Sequence, residues 1–523
     1  MERVETLSSH LRVNETVAAA PKRIGATTGS GRTAEMLGNS SEESPYAIEG
    51  EFVDLDHLPG VPLVGMDADL AEDYVAGLNS MAERVDPITR MGYVNTVESG
   101  HVLLLTHPAS VRKVLTTSVQ HFLGGLRPPS AAFFGPKVLF ILEGREWLDL
   151  RNVLKKTFQK HNVAAMQTDT YEAMEKFDGV LARYAESGRD LDFMRLMGCY
   201  HIQAIGRVCF HTDLGVLDDF ETVNVIEDSF EYLLEELPRR AYATDVDVQN
   251  DFETDNIDNR TMAEKSYQVR NVIREIIAKR LQDAEAGAEP VEDLLSTMMS
   301  IFVEQYPEAE GDVEMLTAEL GDNLVEIMFA GYNTAVPTTS HAFLFLAERP
   351  ELMARVVEEV DRVLGDRRPT NEDLLKLELC EWVIMETLRL CPPASLVARQ
   401  TTRDLKLEGV DIPRATRVWI PACYVHRDPL SWEEPNAFDP DRWSRSKPVR
   451  GSYIPFSDGA RNCAGRNFAM WESVTALATL FQKYTVQPAP GYDWKTIFTG
   501  FGLRPFDLTE ARVCVRLNVI PRQ

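Results

Sequence analysis

One cysteine near the C-terminus has neighbours that could activate its sulfur. Cys463 lies between Gly459 and Gly465, with Arg461 two residues upstream and an amphipathic run directly downstream. Glycines let the backbone approach closely and expose its N–H groups, and a helix that follows points its positive end back at the loop. These features favour a thiolate at Cys463. A thiolate presented in this way acts either as a nucleophile or as a metal ligand.

The residues around Cys463 favour the metal ligand. A nucleophilic cysteine needs a histidine base, and the stretch 453–472 contains no histidine. A zinc site needs further Cys or His at short spacing, which Cys463 lacks. A single thiolate suits haem iron, because the porphyrin supplies four of the other ligands. The alternative is a buried structural cysteine beside a glycine turn.

The bulk composition excludes several classes of protein. The chain has 523 residues and a net charge of −27, so a nucleic-acid partner is not expected, because phosphate binding needs clustered positive charge. Its seven cysteines form no CxxC pair, as is typical of a reducing compartment. The sequence shows no apolar run long enough for a transmembrane anchor and no secretory signal. We expect a protein of the cytoplasm or of an organelle's soluble interior, with a disordered leader over 1–54 and one folded domain over 55–523.

The periodicity of the chain predicts a mainly helical protein with small β-sheets. Helical patterns cover most of residues 144–390, whereas strand-like runs occur at 92–97, 101–106 and 395–424. Residues 122–139 are rich in glycine, proline and phenylalanine and predict a long irregular loop, a type of segment that often lines a site.

The long helix predicted over 316–348 has an unusual centre. Pro337 has no N–H, so the carbonyl of Asn333 loses its helical hydrogen-bond partner. Thr334 can bond back to a carbonyl in the preceding turn. The sequence therefore predicts a local opening in a buried helix, with room for water or a small ligand. A simple packing kink is the alternative.

Two spacings predict charged or polar pairs on helix faces. Trp147 and Arg151 are four residues apart, so an indole N–H and a guanidinium could meet one anionic group. The alternative is an exposed arginine packed along a tryptophan. Glu386 and Arg389 are three apart between apolar flanks, which predicts a buried ion pair, and Arg442 is a candidate third member.

Taken together, these residues resemble the cytochrome P450 family of haem-thiolate monooxygenases, over about residues 55–523. Four family motifs occur in the family's order: W-x-x-x-R at Trp147 and Arg151, E-x-x-R at Glu386 and Arg389, P-x-R-[FW] at Pro440, Arg442 and Trp443, and F-x-x-G-x-R-x-C-x-G at Phe456, Gly459, Arg461, Cys463 and Gly465. Their common order makes the resemblance specific. It implies a mainly α fold in which haem lies between a long distal helix and the helix after the cysteine loop.

The resemblance implies roles for the residues at matching positions. Cys463 would be the axial ligand of the iron of haem b, with Phe456 and Gly465 beside the thiolate. The residues that would hold the haem propionates are Trp147, Arg151, Arg399 and Arg461. The residues that would form a structural network on the proximal side are Glu386, Arg389 and Arg442.

The 316–348 helix would be the distal helix that crosses the haem. Its candidate catalytic residues are Ala330, Gly331, Asn333 and Thr334. Thr334 matches the alcohol that helps to deliver protons, whereas Asn333 stands where the family usually has a carboxylate. An amide can orient water but cannot supply a proton by titration. The candidate substrate-pocket residues are Phe329, Leu396, Val397 and Phe501.

The implied reaction inserts one oxygen atom of O2 into a lipophilic small molecule such as a fatty acid, terpenoid or steroid. No flavin or ferredoxin domain is visible, so electrons would come from a separate ferredoxin or flavoprotein reductase that uses NAD(P)H. The basic residues expected on the face that such a partner would contact are Arg145, Lys155, Lys156, Lys160 and Arg466. Two alternatives stay open: an isomerase or dehydratase that acts on a peroxide without external electrons, and a haem-based sensor or carrier.

Overall fold

The structure is a computed structural model, and only part of the chain is described in it. The described residues are 62–63, 74–96, 100–117, 121–124, 131–135, 137–159, 167–241, 257–498 and 502–522. The predicted leader 1–54, the candidate pocket residue Phe501 and the basic residue Lys160 lie outside them.

Helices make up most of the described chain. Their bounds are α1 Tyr74–Glu83, α2 Pro108–Arg112, α3 Ala131–Phe134, α4 Gly144–Thr157, α5 Gln167–Ser187, α6 Phe193–Phe210, α7 Val225–Ala241, α8 Ile257–Glu285, α9 Leu294–Gln305, α10 Val313–Ala347, α11 Pro350–Leu364, α12 Asn371–Leu374, α13 Glu378–Leu390, α14 Ala422–Val425, α15 Arg442–Arg445 and α16 Arg466–Lys483. A π-helical turn, Lys113–Thr117, continues α2. Within the described ranges, no helix is both long enough and apolar enough to cross a membrane.

The strands form small sheets. Their bounds are β1 Pro62–Leu63, β2 Met91–Thr96, β3 Gly100–Leu105, β4 Phe122–Leu123, β5 Leu191–Asp192, β6 Leu396–Thr401, β7 Leu405–Leu407, β8 Val410–Ile412, β9 Arg417–Pro421, β10 Tyr484–Pro488, β11 Trp494–Phe498, β12 Leu503–Asp507 and β13 Arg516–Pro521. The largest sheet has the order β1-β2-β3-β9-β6-β4, and a second has the order β10-β13-β5. The hairpins β7-β8 and β11-β12 are separate. The mainly helical fold with small sheets that the sequence predicts is confirmed.

Helix α10 is the central element of the fold. The carboxylate of Asp312 caps its first turn by accepting the N–H groups of Glu314 and Met315, both at 3.0 Å. Helix α10 then packs against α6, α8, α13 and α16. The predicted opening does not break it, because the helix continues through Pro337 to Ala347. The backbone hydrogen bond that proline cannot donate is lost, but the surrounding packing keeps the helical path.

A buried polar contact fixes α10 relative to the helices on either side. The Nδ1 atom of His201, on α6, lies 2.9 Å from a carboxylate oxygen of Glu472, on α16. Its Nε2 atom lies 3.2 Å from the hydroxyl of Thr339, on α10. All three side chains are buried. The helix that follows the cysteine loop is thereby held in place against the central helix.

Residues 371–390, at the end of the region with helical patterns, form two helices, α12 and α13. Thr370 and Asp373 form a reciprocal capping box at the N-terminus of the short α12. The carboxylate of Glu359 accepts the N–H groups of Leu379 and Cys380, both at 3.0 Å, and so caps the start of α13. Two separate N-terminal caps therefore replace one continuous helix. The region 122–139, predicted to be wholly irregular, likewise contains β4 and α3.

Candidate functional site

The loop before α16 holds Cys463 in a defined position. The N–H of Cys463 donates to the carbonyl of Phe456 at 2.9 Å, which closes the loop on itself. Gly459 has a φ of +72°, and a Cβ there would lie 2.0 Å from the carbonyl oxygen of Leu115. Only glycine fits so close an approach. The loop is therefore packed against the turn that continues α2.

The sulfur of Cys463 is accessible, although protein surrounds the space that it faces. All seven cysteines lie within the described residues, and Cys463 is exposed while the other six are buried. Burial raises the pKa of the Cys463 thiol, and N–H groups of Gly465 and Arg466 and the charges of Arg151 and Arg466 offset only part of this effect. The loop N–H groups and the two arginines thus favour a thiolate, as the sequence predicts, and burial opposes them. A bound metal cation would further favour the ionised sulfur.

Trp147 and Arg461 form a stacked pair with a carboxylate that the sequence analysis missed. The guanidinium of Arg461 lies over the Trp147 ring, 4.3 Å from its centroid. The same guanidinium forms an ion pair with Glu143, whose other oxygen accepts the N–H of Gly124 at 2.6 Å. Glu143 directly precedes α4, and no sequence spacing relates it to Arg461, 318 residues later.

Arg151 does not contact the residue that Trp147 contacts, but a residue of the cysteine loop. Its side chain is buried and donates to Oδ1 of Asn462, the residue next to Cys463. Burial lowers the pKa of Arg151, and the nearby sulfur of Cys463 opposes that effect. The convergence of Trp147 and Arg151 on one anionic group stays a prediction. Trp147 lies with Arg461, whereas Arg151 supports the cysteine loop.

Arg399 is a buried cation with unused hydrogen-bonding capacity. Its Nη1 donates to the carbonyl of Ala398 at 2.7 Å and its Nη2 to the hydroxyl of Ser457 at 3.3 Å. Its Nε is buried without an acceptor. Burial and the positive charge of Arg461 lower the pKa of Arg399 to about 10. Two neighbouring guanidiniums, of which only one is paired with a carboxylate, form a site for an anion.

These residues fit a haem. The accessible thiol of Cys463 offers the single soft ligand that haem iron takes from a protein. The unpaired Nε–H of Arg399 and the adjacent guanidinium of Arg461 suit the carboxylates of a porphyrin. The orphaned buried donor is the observation that favours such a group, because a buried polar atom without a partner is costly.

Replacing Arg399 by methionine is expected to weaken haem binding by about 10- to 100-fold, because a hydrogen bond to a charged group contributes about 1.5–3 kcal/mol. The measurement is a titration of haem into the apoprotein, followed by absorbance. Arg417→Met, at an exposed position on the neighbouring strand β9, is the matched control and is expected to change nothing. Equal affinities for Arg399→Met and the unmodified protein would contradict the role of Arg399.

On α10 the four predicted catalytic residues separate into different environments. Ala330 and Thr334 are one turn apart on one half-exposed face, and the Thr334 hydroxyl donates to the Ala330 carbonyl at 2.8 Å. Asn333 is buried, and its Oδ1 has no partner. Gly331 packs against α6, since a Cβ there would lie 2.0 Å from Cδ1 of Ile205. Gly331 therefore allows α10 to pack closely on α6, and its catalytic role stays a prediction.

The predicted pocket residues are not all on one surface. Phe329 is fully enclosed, with its ring centroid 5.0 Å from that of Phe134 and 5.3 Å from that of Phe230. In β6 the half-buried and buried residues alternate, so Leu396 and Val397 face opposite sides of the sheet. Val397 shares its side with Arg399. Leu396 lies on the opposite side of the strand, and the pocket role of both residues stays a prediction.

The three residues of the proximal network are in contact. Arg389 donates from Nε and Nη2 to both carboxylate oxygens of Glu386, at 2.9 and 2.8 Å, and Arg442 donates from Nε to Glu386 at 2.9 Å. Backbone carbonyls that accept the remaining N–H groups of Arg389 belong to His426, Pro435 and Ala437. Both Glu386 and Arg389 are fully buried. The network ties α13 to the segment that leads to the cysteine loop.

Four of the predicted basic residues are exposed: Arg145, Lys155, Lys156 and Arg466. The first three lie on α4, and Arg466 begins α16, with its guanidinium 5.7 Å from the centroid of the Phe456 ring. Both helices adjoin the cysteine loop. Positive charge is therefore displayed next to Cys463 on a protein of strongly negative net charge.

Comparison with known proteins agrees with this site. The family model for cytochrome P450 matches residues 59–508. Similar proteins include LUTEIN DEFICIENT 5, chloroplastic, of Arabidopsis thaliana, which is 28% identical over 74% of this chain and 66% of its own length. Cyclooctat-9-en-7-ol 5-monooxygenase of Streptomyces melanosporofaciens is 28% identical over 74% of this chain and 81% of its own. Cytochrome P450 3A13 of Mus musculus is 27% identical over 74% of this chain and 77% of its own length. The chain therefore belongs to the cytochrome P450 family and is a haem-thiolate monooxygenase, with iron protoporphyrin IX as its cofactor.

Proposed function

We propose that this chain inserts one oxygen atom of O2 into a lipophilic small molecule such as a fatty acid, terpenoid or steroid, with electrons from a separate ferredoxin or flavoprotein reductase. The observation that carries the proposal is the accessible thiol of Cys463, held in a rigid loop beside buried and incompletely paired guanidiniums. One relative supports the substrate class, since its name describes monooxygenation of an alcohol, cyclooctat-9-en-7-ol.

Residues on the proximal side would hold the cofactor. Cys463 would ligate the iron, and Arg399 and Arg461 would bind the propionates, with Trp147 supporting the Arg461 guanidinium from one face. When bound, haem supplies the reductive activation of O2 and the transfer of one oxygen atom to the substrate. The N–H groups of Gly465 and Arg466 point to the sulfur and would moderate its charge.

On the distal side, Thr334 and Asn333 would take part in proton delivery by orienting water. The Thr334 hydroxyl donates a hydrogen bond to the Ala330 carbonyl, so the Thr334 oxygen can still accept a hydrogen bond. The unpartnered Oδ1 of Asn333 is a second acceptor. Both groups can orient a water molecule, but neither titrates near neutral pH, so protons must reach the site from other donors.

Asn333→Asp is expected to change, by severalfold, the fraction of consumed electrons that appears in product, because a carboxyl group can release a proton and an amide cannot. The measurement compares product formed with NAD(P)H and O2 consumed. Asn323→Asp is the matched control, since Asn323 is also a buried asparagine on α10 with an unpartnered Oδ1. Unchanged coupling and oxygen uptake in Asn333→Asp would contradict a role in proton delivery.

The proposed reaction is tested by turnover with a surrogate reductase and NAD(P)H, using fatty acids, terpenoids and steroids that shift the haem absorption on binding. We expect oxygenated product only when electrons and O2 are supplied. Rearrangement of a substrate peroxide at the same rate without electrons would contradict the proposal.

Glutamate substitutions at Lys155 and Lys156 are expected to slow reduction by an acidic partner, with an effect that shrinks as salt is added.

A further inference from the structure

A buried histidine that the sequence analysis did not single out contacts the start of the cysteine loop. His426 directly follows α14, and its side chain is fully buried. Its Nε2 atom accepts the N–H of Ile454 at 2.8 Å. Its ring also packs against that of Tyr453, with 5.3 Å between the two centroids. His426 therefore holds the backbone two residues before Phe456 from within the protein interior.

The contact defines the protonation of the His426 ring. An imidazole nitrogen that accepts an N–H carries no proton, so the proton of the neutral ring is on Nδ1. Burial and the charges of Arg389 and Arg427 lower the pKa of His426 to about 3. Hydrogen bonding to the carbonyls of Leu388 and Arg389 opposes this effect without outweighing it. Nε2 is therefore an acceptor throughout the neutral pH range.

The backbone of His426 belongs to the proximal network. Its carbonyl accepts Nη1 of Arg389 at 3.0 Å, and Arg389 in turn donates to both carboxylate oxygens of Glu386. Both members of that ion pair are fully buried. His426 thus connects the buried pair, through its carbonyl, with Ile454, through its ring.

Two contacts lead from Ile454 to residues proposed to hold the cofactor. The Ile454 carbonyl accepts the N–H of Ser457 at 2.9 Å, which closes a turn. Within this turn, the Phe456 carbonyl accepts the N–H of Cys463 at 2.9 Å. The Ser457 hydroxyl accepts Nη2 of Arg399 at 3.3 Å. The position of the turn therefore affects both the proposed iron ligand and a proposed propionate ligand.

The turn depends on contacts outside it. Ser457 has a φ of +56°, in the left-handed region that costs free energy in a residue with a Cβ. Such a conformation persists only where the surrounding structure fixes it. The Ile454 N–H is buried, so water cannot replace the acceptor that His426 supplies. The hydrogen bond to His426 is thus one of the contacts that keep the turn in place.

We infer that His426 is a positioning residue for the Cys463 ligand, because its Nε2 fixes the backbone of Ile454 at the start of the loop. The inference rests on the proposed role of Cys463 as the iron ligand. It adds a residue that acts through the loop backbone. Without the acceptor, the loop is expected to reach positions in which the sulfur is no longer aligned with the iron.

Two substitutions at position 426 separate the acceptor from the size of the side chain. His426→Gln keeps an oxygen that can accept the Ile454 N–H, whereas His426→Met has a similar length but only a weak acceptor. The measurement is the carbon monoxide difference spectrum of the reduced protein, in urea just sufficient to remove about one tenth of the thiolate band from the unmodified protein. His426→Met is expected to lower the ratio of thiolate-ligated to other haem by about tenfold, the equivalent of one buried donor left unpaired.

His426→Gln is expected to keep the ratio of the unmodified protein, because the Ile454 N–H retains an acceptor. An unchanged ratio in His426→Met, or an equal loss in both variants, would overturn the inference.

His341→Met is the matched control for the loss of a buried histidine. His341, on α10, is also fully buried, and its ring nitrogens contact the Pro337 carbonyl and the hydroxyl of Thr496, on β11. A lower urea midpoint of unfolding is expected in both methionine variants. Loss of the thiolate band ahead of unfolding is expected only in His426→Met. Such a loss in both variants would show that the effect is general and would refute a specific role for His426.

The His426 tautomer tests the contact in the unmodified protein, whether or not the variants fold. Tyr453-Ile454 is the single Tyr-Ile step in the sequence, so labelling tyrosine carbonyls with ¹³C and isoleucine with ¹⁵N assigns the Ile454 amide. In the reduced, carbon monoxide-bound protein with ¹⁵N-labelled histidine, this amide proton is expected to correlate with an unprotonated ring nitrogen. A protonated Nε2 would contradict the inference. Failure of Cys463 as the ligand would appear separately, as absence of the thiolate band from the unmodified protein, and the tautomer measurement does not depend on that band.

Discussion

Replacing Cys463 by serine is expected to reduce monooxygenase turnover below detection while changing the free energy of unfolding of the apoprotein by no more than about 0.5 kcal/mol. Turnover is lost because the haem iron loses its thiolate ligand. Stability is kept because the Cys463 side chain is exposed, and its N–H bond to the Phe456 carbonyl belongs to the backbone. Product analysis and denaturant unfolding of the same preparation measure the two effects.

Cys391→Ser is the matched control for Cys463→Ser. Burial acts to raise the pKa of Cys391, but the charge of His341 and the hydrogen bonds of His341 and Thr496 outweigh it and bring the pKa to about 7. Cys391 is therefore the thiol that electrostatics alone would select as a ligand. It is buried, with 3% exposure, and is expected to keep full turnover when replaced. Turnover in Cys463→Ser, or its loss in a folded Cys391→Ser protein, would contradict the assignment.

Replacing Arg389 by methionine is expected to destabilise the protein by about 3–5 kcal/mol, because it leaves the buried carboxylate of Glu386 with only one of its two cations. Three backbone carbonyls also lose their donors. Such a loss is a large share of the roughly 5–15 kcal/mol that stabilises a typical domain. The midpoint and slope of denaturant unfolding measure it.

The matched control for Arg389→Met lies in the same region. Arg355, on α11, forms a bidentate pair with Asp441 at 3.0 and 2.7 Å, but its side chain is 49% exposed. Because solvent screens an exposed pair, Arg355→Met is expected to cost less than about 1 kcal/mol. Similar losses for the two variants would show that burial of the Glu386–Arg389 pair carries no special weight.

Features that depend on short sequence spacing were predictable. The strand-like runs predicted at 92–97 and 101–106 correspond to β2 and β3, which pair antiparallel. Glu386 and Arg389 are three residues apart between apolar flanks, and the structure places them together in the interior. The alternation of side chains along β6 is equally local, and strand periodicity alone separates Leu396 from Arg399.

Features that depend on distant partners were not predictable from spacing. Glu143 and Arg461 are 318 residues apart, and Glu231 and Arg504 are 273 apart. Gly331 matches a motif in the sequence, but its close approach to Ile205, on another helix, could not be read from that motif. The loop groups that lower the pKa of Cys463 were visible in the sequence, whereas the burial that raises it was not.

The most direct test of the central claim, that the Cys463 thiolate holds the haem iron, is the carbon monoxide difference spectrum of the reduced protein. The account predicts the red-shifted band of a thiolate-ligated haem in the unmodified protein and in Cys391→Ser, and no such band in Cys463→Ser. A red-shifted band in haem-loaded Cys463→Ser, or its absence from the folded, haem-loaded unmodified protein, would contradict the account.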